Sequence, residues 1–327
     1  GYSPASSVAF TPLNWNVPQT VTVTGVDDFV KDGNIAYTVR LDPATSSDPN
    51  YAGKDPTDVA VLNADNDVAG ITVSSAAGLL TSESGGRATF TVRLLSQPVA
   101  SVGIPVASSN AAEAVVYAAS LTLTAADGNL AQTVTMTGVD DLVKDGDVAY
   151  TVTLGAAVSS DPVYSGMDAA DVSATNTDDE VAGIAVTPSA GLVTTEAGGT
   201  ATFTVRLTSQ PVANVVVPVG SSNATEGTVS ASSLMFTAAN WNVAQTVTVT
   251  GVDDLVEDGD VAYTVMLGAA VSSDPVYSGM DAVDVSATNT DDDVAGIAVT
   301  PTAGLVTTEA GGTATFAVQL TSQPVSN

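Results

Sequence analysis

The sequence has no cysteine and no histidine. Disulfides, thiolate chemistry, tetrahedral zinc sites and imidazole catalysis are therefore excluded together. Aromatic residues make up only 5% of the chain, so any core must be built from Val, Leu, Ile and Ala. Positive charge is nearly as scarce, with seven Lys and Arg against 36 Asp and Glu and a net charge of −29. A surface of that sign does not suit a nucleic-acid phosphate backbone, and it is repelled by anionic lipid. No segment shows a helical period, and no apolar run reaches the roughly 18 residues of a membrane-spanning helix. No insertion into a membrane and no nucleic-acid partner are expected.

What remains is rich in Val and Thr, both β-branched strand formers. It is also repetitive. Val68-Ala69-Gly70-Ile71 recurs as Val181-Ala182-Gly183-Ile184 and again as Val294-Ala295-Gly296-Ile297, an offset of 113 each time. Gly25-Val26-Asp27-Asp28 recurs at Gly138 and Gly251 with the same offset. Between Ala131–Val186 and Ala244–Val299 only five of 56 positions differ. One of the five sets Lys144 against Glu257, a charge reversal that predicts a solvated position.

A period of 113 is too long for a solenoid turn and suits a whole domain. In the repeat 68–180, strands are expected near Ile71–Ser75, Ala88–Leu94, Ser101–Ala107, Leu121–Thr124, Thr133–Val139, Ala149–Leu154 and Asp171–Asn176, separated by Gly, Pro, Asp and Asn turns. The alternation in Ala88–Leu94 predicts Phe90, Val92 and Leu94 in the core and Thr91 and Arg93 in water. The expected fold is all-β, as tandem seven-stranded immunoglobulin-like sandwiches in a linear array. The frame gives residues 1–67 as the C-terminal part of a repeat, 68–180 and 181–293 as complete repeats, and 294–327 as the N-terminal part of another. The leading expectation is a stretch of a longer array. The alternative is strand donation, in which 294–327 of one copy completes 1–67 of the next and builds a filament.

The carboxylates cluster at fixed repeat positions. Asp140, Asp141 and Asp145 follow the fifth expected strand and are matched by Asp253, Asp254 and Asp258. Asp178, Asp179 and Glu180 close the repeat and are matched by Asp291, Asp292 and Asp293. One Glu follows the first strand at Glu83 and Glu196, each just before a Gly-Gly pair. If alternate loops lie at alternate ends of the sandwich, these three segments meet at one end. Carboxylates gathered there repel one another unless a cation is held between them. Only oxygen ligands are on offer, and six to eight of them suit calcium. In the partial first repeat the corresponding set is Asp27, Asp28, Asp32, Asp65 and Asp67, without an early Glu. A further set, Asp161, Asp168 and Asp171, reads as turn and capping residues, the alternative being that Asp168 reaches an ion between repeats.

These motifs, an early Glu-x-Gly-Gly, then Val-Asp-Asp-x-x-x-Asp-Gly-Asp, then a terminal acidic run, resemble the Calx-β domain. That immunoglobulin-like sandwich occurs in sodium–calcium exchangers, in an integrin subunit and in long arrays on bacterial surface proteins. The resemblance implies calcium held by Glu196, Asp253, Asp254, Asp258, Asp291, Asp292 and Asp293, and by the corresponding residues of the preceding repeat. It implies an extracellular structural array, a calcium-stiffened rod, fibre or adhesin stalk at the cell surface. Its partners are then neighbouring repeats or other copies of the same chain. A ligand-binding adhesin module is a further alternative. Catalysis is not expected, because the paired carboxylates recur in every repeat with no substrate-binding aromatics beside them.

Overall fold

The alternation of apolar and polar residues is realised as strands throughout. The structure is a computed structural model and describes residues 7–326. It divides into two compact units: one runs up to Asp140 and adds Asp147–Thr177, and the other comprises Asp141–Gly146 and the chain from Asp178 onward. Among the described residues there is no helix long and apolar enough to cross a membrane.

The first unit opens with an antiparallel pair, β1 (Ile35–Val39) and β2 (Val59–Asn63). The repeat that follows contains β3 (Ile71–Ser74), β4 (Leu79–Ser82), β5 (Arg87–Leu94), β6 (Val102–Ser108), β7 (Ala114–Val116), β8 (Ser120–Leu123), β9 (Gln132–Gly138), β10 (Val148–Leu154) and β11 (Val172–Thr177). They form two sheets, ordered β3-β5-β9-β7 and β4-β11-β10-β6-β8. The apolar residues of both sheets point into one core, which includes Phe90, Val92, Leu94, Ile104, Met136, Val152 and Leu154. This is an immunoglobulin-like β-sandwich. All seven expected strands are present, and two short ones, β4 and β7, join them.

The second unit repeats this plan with β12 (Ile184–Thr187), β13 (Leu192–Thr195), β14 (Thr200–Leu207), β15 (Val215–Ser221), β16 (Gly227–Val229), β17 (Ser233–Phe236), β18 (Gln245–Gly251), β19 (Val261–Leu267), β20 (Val271–Ser272) and β21 (Val285–Thr290). Its sheets are β12-β14-β18-β16 and β13-β21-β19-β15-β17, with β20 on β15. An antiparallel pair, β22 (Ile297–Thr300) and β23 (Ala317–Leu320), follows.

Two features of this plan place the charges. First, among the described residues no strand contains an Asp or Glu, so the acidic residues lie in the connections. Buried strands cannot host unpaired carboxylates, and the connections are the only places left. Second, β13 runs parallel to β21, with Thr195 opposite Thr290. The chain therefore leaves both strands at the same end and on adjacent tracks. The expected rule of alternate loops at alternate ends is not the cause. A short parallel strand, invisible as a local pattern, brings the early Glu to the closing acidic run.

Candidate metal centre

The site is best seen in the second unit. Glu196 follows β13 directly, and its N–H donates to Thr290 O at 3.1 Å. The Gly198-Gly199 pair turns the chain back. Gly198 adopts φ +80°, which favours glycine, and a Cβ on Gly199 would lie 2.5 Å from Thr195 Oγ1, so a side chain there would displace that hydroxyl. Asp291 follows β21. Its Oδ2 accepts the Gly259 N–H at 2.7 Å and its Oδ1 the Asp293 N–H at 2.8 Å. Glu196, Asp291 and Asp293 each place one carboxylate oxygen within 4.8 Å of the others.

Glu196 is only 2% exposed, and its Oε2 has no hydrogen-bond partner; nor has Asp293 Oδ2. Desolvation, then the charges of Asp291, Asp254 and Asp258, push the Glu196 carboxyl up to about 7. Burial first, and next Asp291 and Asp292, also raise Asp293. Asp291 goes the other way, held down chiefly by the Gly259 N–H and then by that of Asp293. A buried acceptor left without a donor is costly, so a cation or a proton placed among these oxygens would relieve that cost.

A second carboxylate group lies beside the first: Glu226, Asp254 and Asp258, again within 4.8 Å of one another. Glu226 was not among the residues expected from the sequence. It precedes the three-residue strand β16, which pairs with β18 so that Gly227 faces Gly251. That pairing sets Glu226 beside the start of the acidic loop, where its carbonyl accepts the Val252 N–H at 3.0 Å. The one available signal was its recurrence, since Glu113 stands at the equivalent position. Asp253 and Asp292 are exposed and belong to neither group.

Beneath the carboxylates lies a buried polar layer. Asn289, 1% exposed, donates through Nδ2 to Val252 O at 3.0 Å and to Glu226 Oε2 at 3.4 Å. Its Oδ1 accepts from Thr194 Oγ1 at 2.9 Å, and Thr194 also meets Tyr263 OH at 3.0 Å. Gly251 leaves room for this layer. A Cβ there would lie 2.2 Å from Thr195 O and 2.5 Å from Asn289 Oδ1. The glycine of the recurring Gly-Val-Asp-Asp motif is thus demanded by close packing.

Of the other expected residues, Glu83 and Asp140 belong to the first unit, Glu83 being buried and Asp140 exposed. Glu83 N–H donates to Thr177 O at 3.1 Å. Asp141, Asp145, Asp178, Asp179 and Glu180 belong to the second unit. Asp141 Oδ1 accepts the Val143 N–H, and Asp178 Oδ1 accepts the Glu180 N–H at 2.8 Å. Asp145 and Asp179 are exposed. Lys144 is not simply solvated, as its exchange with Glu257 suggested: its Nζ donates to Asp178 Oδ2. In the head of the chain, Asp27, Asp28, Asp32, Asp65 and Asp67 line one hollow of about 230 Å³. Lys31 donates to Asp65 there and holds that carboxyl down to about 2. Burial, then Asp65 and Asp27, raise Asp67.

The Asp161 loop is structural. Asp161 is buried, with Oδ2 accepting the Val99 N–H and Oδ1 the Val163 N–H. Tyr164 OH donates to Ser96 O at 2.7 Å and accepts the Ser96 N–H. Asp274 and Tyr277 do the same for Val212 and Ser209. Asp168 is exposed, and Asp171 accepts the Leu154 N–H. The Gln-Pro turn held in this way makes a recurring contact with an acidic loop. Gln97 N–H donates to Phe29 O in the first unit, and in the second Gln210 and Gln323 donate to Leu142 O and Leu255 O, each at 2.6 Å.

No protein-family model matches the sequence, and no curated protein matches it. Among solved structures, CBD12 from CALX1.2 is similar at 15% identity and a TM-score of 0.32, covering 66% of this chain and 98% of its own. The calcium binding domain CBD12 of CALX1.1 is similar at 16% identity and a TM-score of 0.31, covering 61% of this chain and 80% of its own. Domains 4 and 5 of the S-layer protein SbsC are similar at 19% identity and a TM-score of 0.27, covering 57% and 77%. Likenesses of this size say nothing of what the chain does; the fold class stands on the strand pairings themselves.

Proposed function

We propose that this chain is part of an extracellular structural repeat array whose acidic ends bind calcium and are stiffened by it. The observation that carries the reading is the buried Glu196 carboxylate. It faces Asp291 and Asp293 with an oxygen that nothing satisfies, in a chain with seven basic residues to 36 acidic ones. Calcium is the divalent cation that best suits the donor set: all oxygen, mixed in burial, and supplied by loops. Glu196, Asp291 and Asp293 would hold one ion, and Glu226, Asp254 and Asp258 a second. The same assignment extends by sequence to the equivalent residues of the other repeats.

Stiffening follows from the loops involved. The acidic loop carrying Asp254 and Asp258 also presents Leu255 O to Gln323, so an ion that orders the loop also fixes its contact with the following repeat. The strands between, free of acidic residues, need no cation and serve as spacers.

Thermal melting of the chain in calcium and in chelator tests the binding, and electron microscopy in both tests the stiffening. Melting at the same temperature in both would overturn the calcium reading, because a ligand of the native state raises its stability. Strings equally bent with and without calcium would overturn stiffening alone. Uniform polymers in place of beaded single strings would favour strand donation between copies.

A further inference from the structure

One repeat position carries Lys31, Lys144 and Glu257 in turn, and the surroundings of that position are otherwise conserved in geometry. In each repeat the same Asp, Asp65, Asp178 or Asp291, uses Oδ2 to accept the N–H of the glycine that stands two residues after this position, Gly33, Gly146 or Gly259. In the first two repeats that same oxygen also receives a lysine ammonium. Lys31 Nζ lies 2.7 Å from Asp65 Oδ2, and Lys144 Nζ donates to Asp178 Oδ2. Both aspartate side chains are almost wholly enclosed, at 3% and 0% exposure, while the lysines approach from outside.

Glu257 breaks the series. It brings no ammonium to Asp291, and its own carboxylate turns away, with Oε2 accepting the Ala295 N–H at 2.7 Å. Relative to the repeat with Lys144, the local charge at this end is more negative by two. This is also the end at which Glu196 is buried with an unsatisfied oxygen among Asp291 and Asp293.

We infer that position 31, 144 and 257 grades divalent-cation affinity along the chain: Glu257 leaves the cluster of Glu196, Asp291 and Asp293 as the tightest site, while Lys31 and Lys144 are tethered cations that compete with the ion at theirs. The physical reason is direct. An ammonium on the ligand oxygen must be displaced, or shares the field with the ion, and each unit of charge nearby changes the attraction for a divalent ion. The lysines also relieve repulsion when no ion is bound. The array would then fill in order as calcium rises, with the repeat bearing Glu257 first.

This inference rests on the calcium reading above, and one experiment separates the two. The full chain and three variants, Glu257→Lys, Glu257→Gln and Lys144→Glu, are titrated with calcium by calorimetry and by competition with a chromophoric chelator. In the unaltered chain the binding resolves into at least two classes. Glu257→Lys is expected to weaken the tightest class by about tenfold or more, and Glu257→Gln by much less. Lys144→Glu is expected to add a second tight class. An unchanged tightest class in Glu257→Lys, or no added tight class in Lys144→Glu, overturns the grading while the calcium reading stands. No calcium binding by the unaltered chain overturns both.

Discussion

Replacing Glu196 by Gln should stabilise the calcium-free protein and remove much of its response to calcium. The side chain keeps its size and gains a donor that Asp291 can accept. What it loses is a charge held in the wrong place. Burial and the neighbouring carboxylates raise the Glu196 carboxyl from 4.5 to about 7, a displacement equivalent to about 3 kcal/mol between protonation states. Solvent at the mouth of the site screens this to about 1–2 kcal/mol. The sign follows from proton binding. The folded chain holds the proton more tightly than the unfolded one, so the contribution to stability is complete below about pH 4.5 and is lost as pH rises through about 7.

In chelator at pH 8, Glu196→Gln should therefore raise the melting temperature of its transition by about 4–8 °C. At pH 4 the two proteins should melt together. In calcium that advantage shrinks by about 5 °C or more. At a hundred times its dissociation constant, calcium adds about 2.7 kcal/mol to the unaltered protein, roughly 10 °C for a domain of this size, and the variant should gain half of that or less. Scanning calorimetry of the full chain at pH 4 and pH 8, in calcium and in chelator, reads all of these values. A variant that melts no higher than the parent in chelator at pH 8 would show that the buried charge is not the source of strain.

The remaining expectations concern the supports of the site. Gly251→Ala puts a methyl group 2.2 Å from Thr195 O; it should cost about 2–3 kcal/mol in chelator and also weaken calcium binding, as measured by urea unfolding and titration. Tyr277→Phe removes a buried hydroxyl that bonds the Ser209 main chain and Oγ. It should cost about 1–3 kcal/mol in urea unfolding and leave the calcium-dependent rise in melting temperature intact at Glu196. Magnesium, which demands a smaller octahedral shell, should raise the melting temperature much less than calcium at equal concentration. An equal rise would argue for simple charge neutralisation.

Much of the molecule can be read without coordinates. The alternation in Ala88–Leu94 correctly places Phe90, Val92 and Leu94 in the core, because a strand exposes alternate side chains to opposite faces whatever lies around it. The clustering of Asp140 and Asp141, and of Asp253 and Asp254, is equally plain, as is the restriction to oxygen ligands that the lack of Cys and His imposes. What could not be read depends on pairing between distant segments. Leu192–Thr195 was not among the expected strands, and its parallel register with β21 is what sets Glu196 beside Asp291. Glu226 lies before a three-residue strand with no local signature, and only the pairing of Gly227 with Gly251 brings it to the site.

Position 144 shows the same division most sharply. In sequence, exchange of Lys for Glu between near-identical repeats points to open solvent. In three dimensions Lys144 reaches Asp178 and Glu257 does not reach Asp291. By itself, the sequence determined the repeat, the strand chemistry and the acidic clusters, because a repeat is legible by self-comparison and the other two depend on residues near one another in the chain. The tertiary structure alone decided which carboxylates meet, which are buried and which are already paired with a lysine, because those depend on contacts between residues 30 to 100 positions apart.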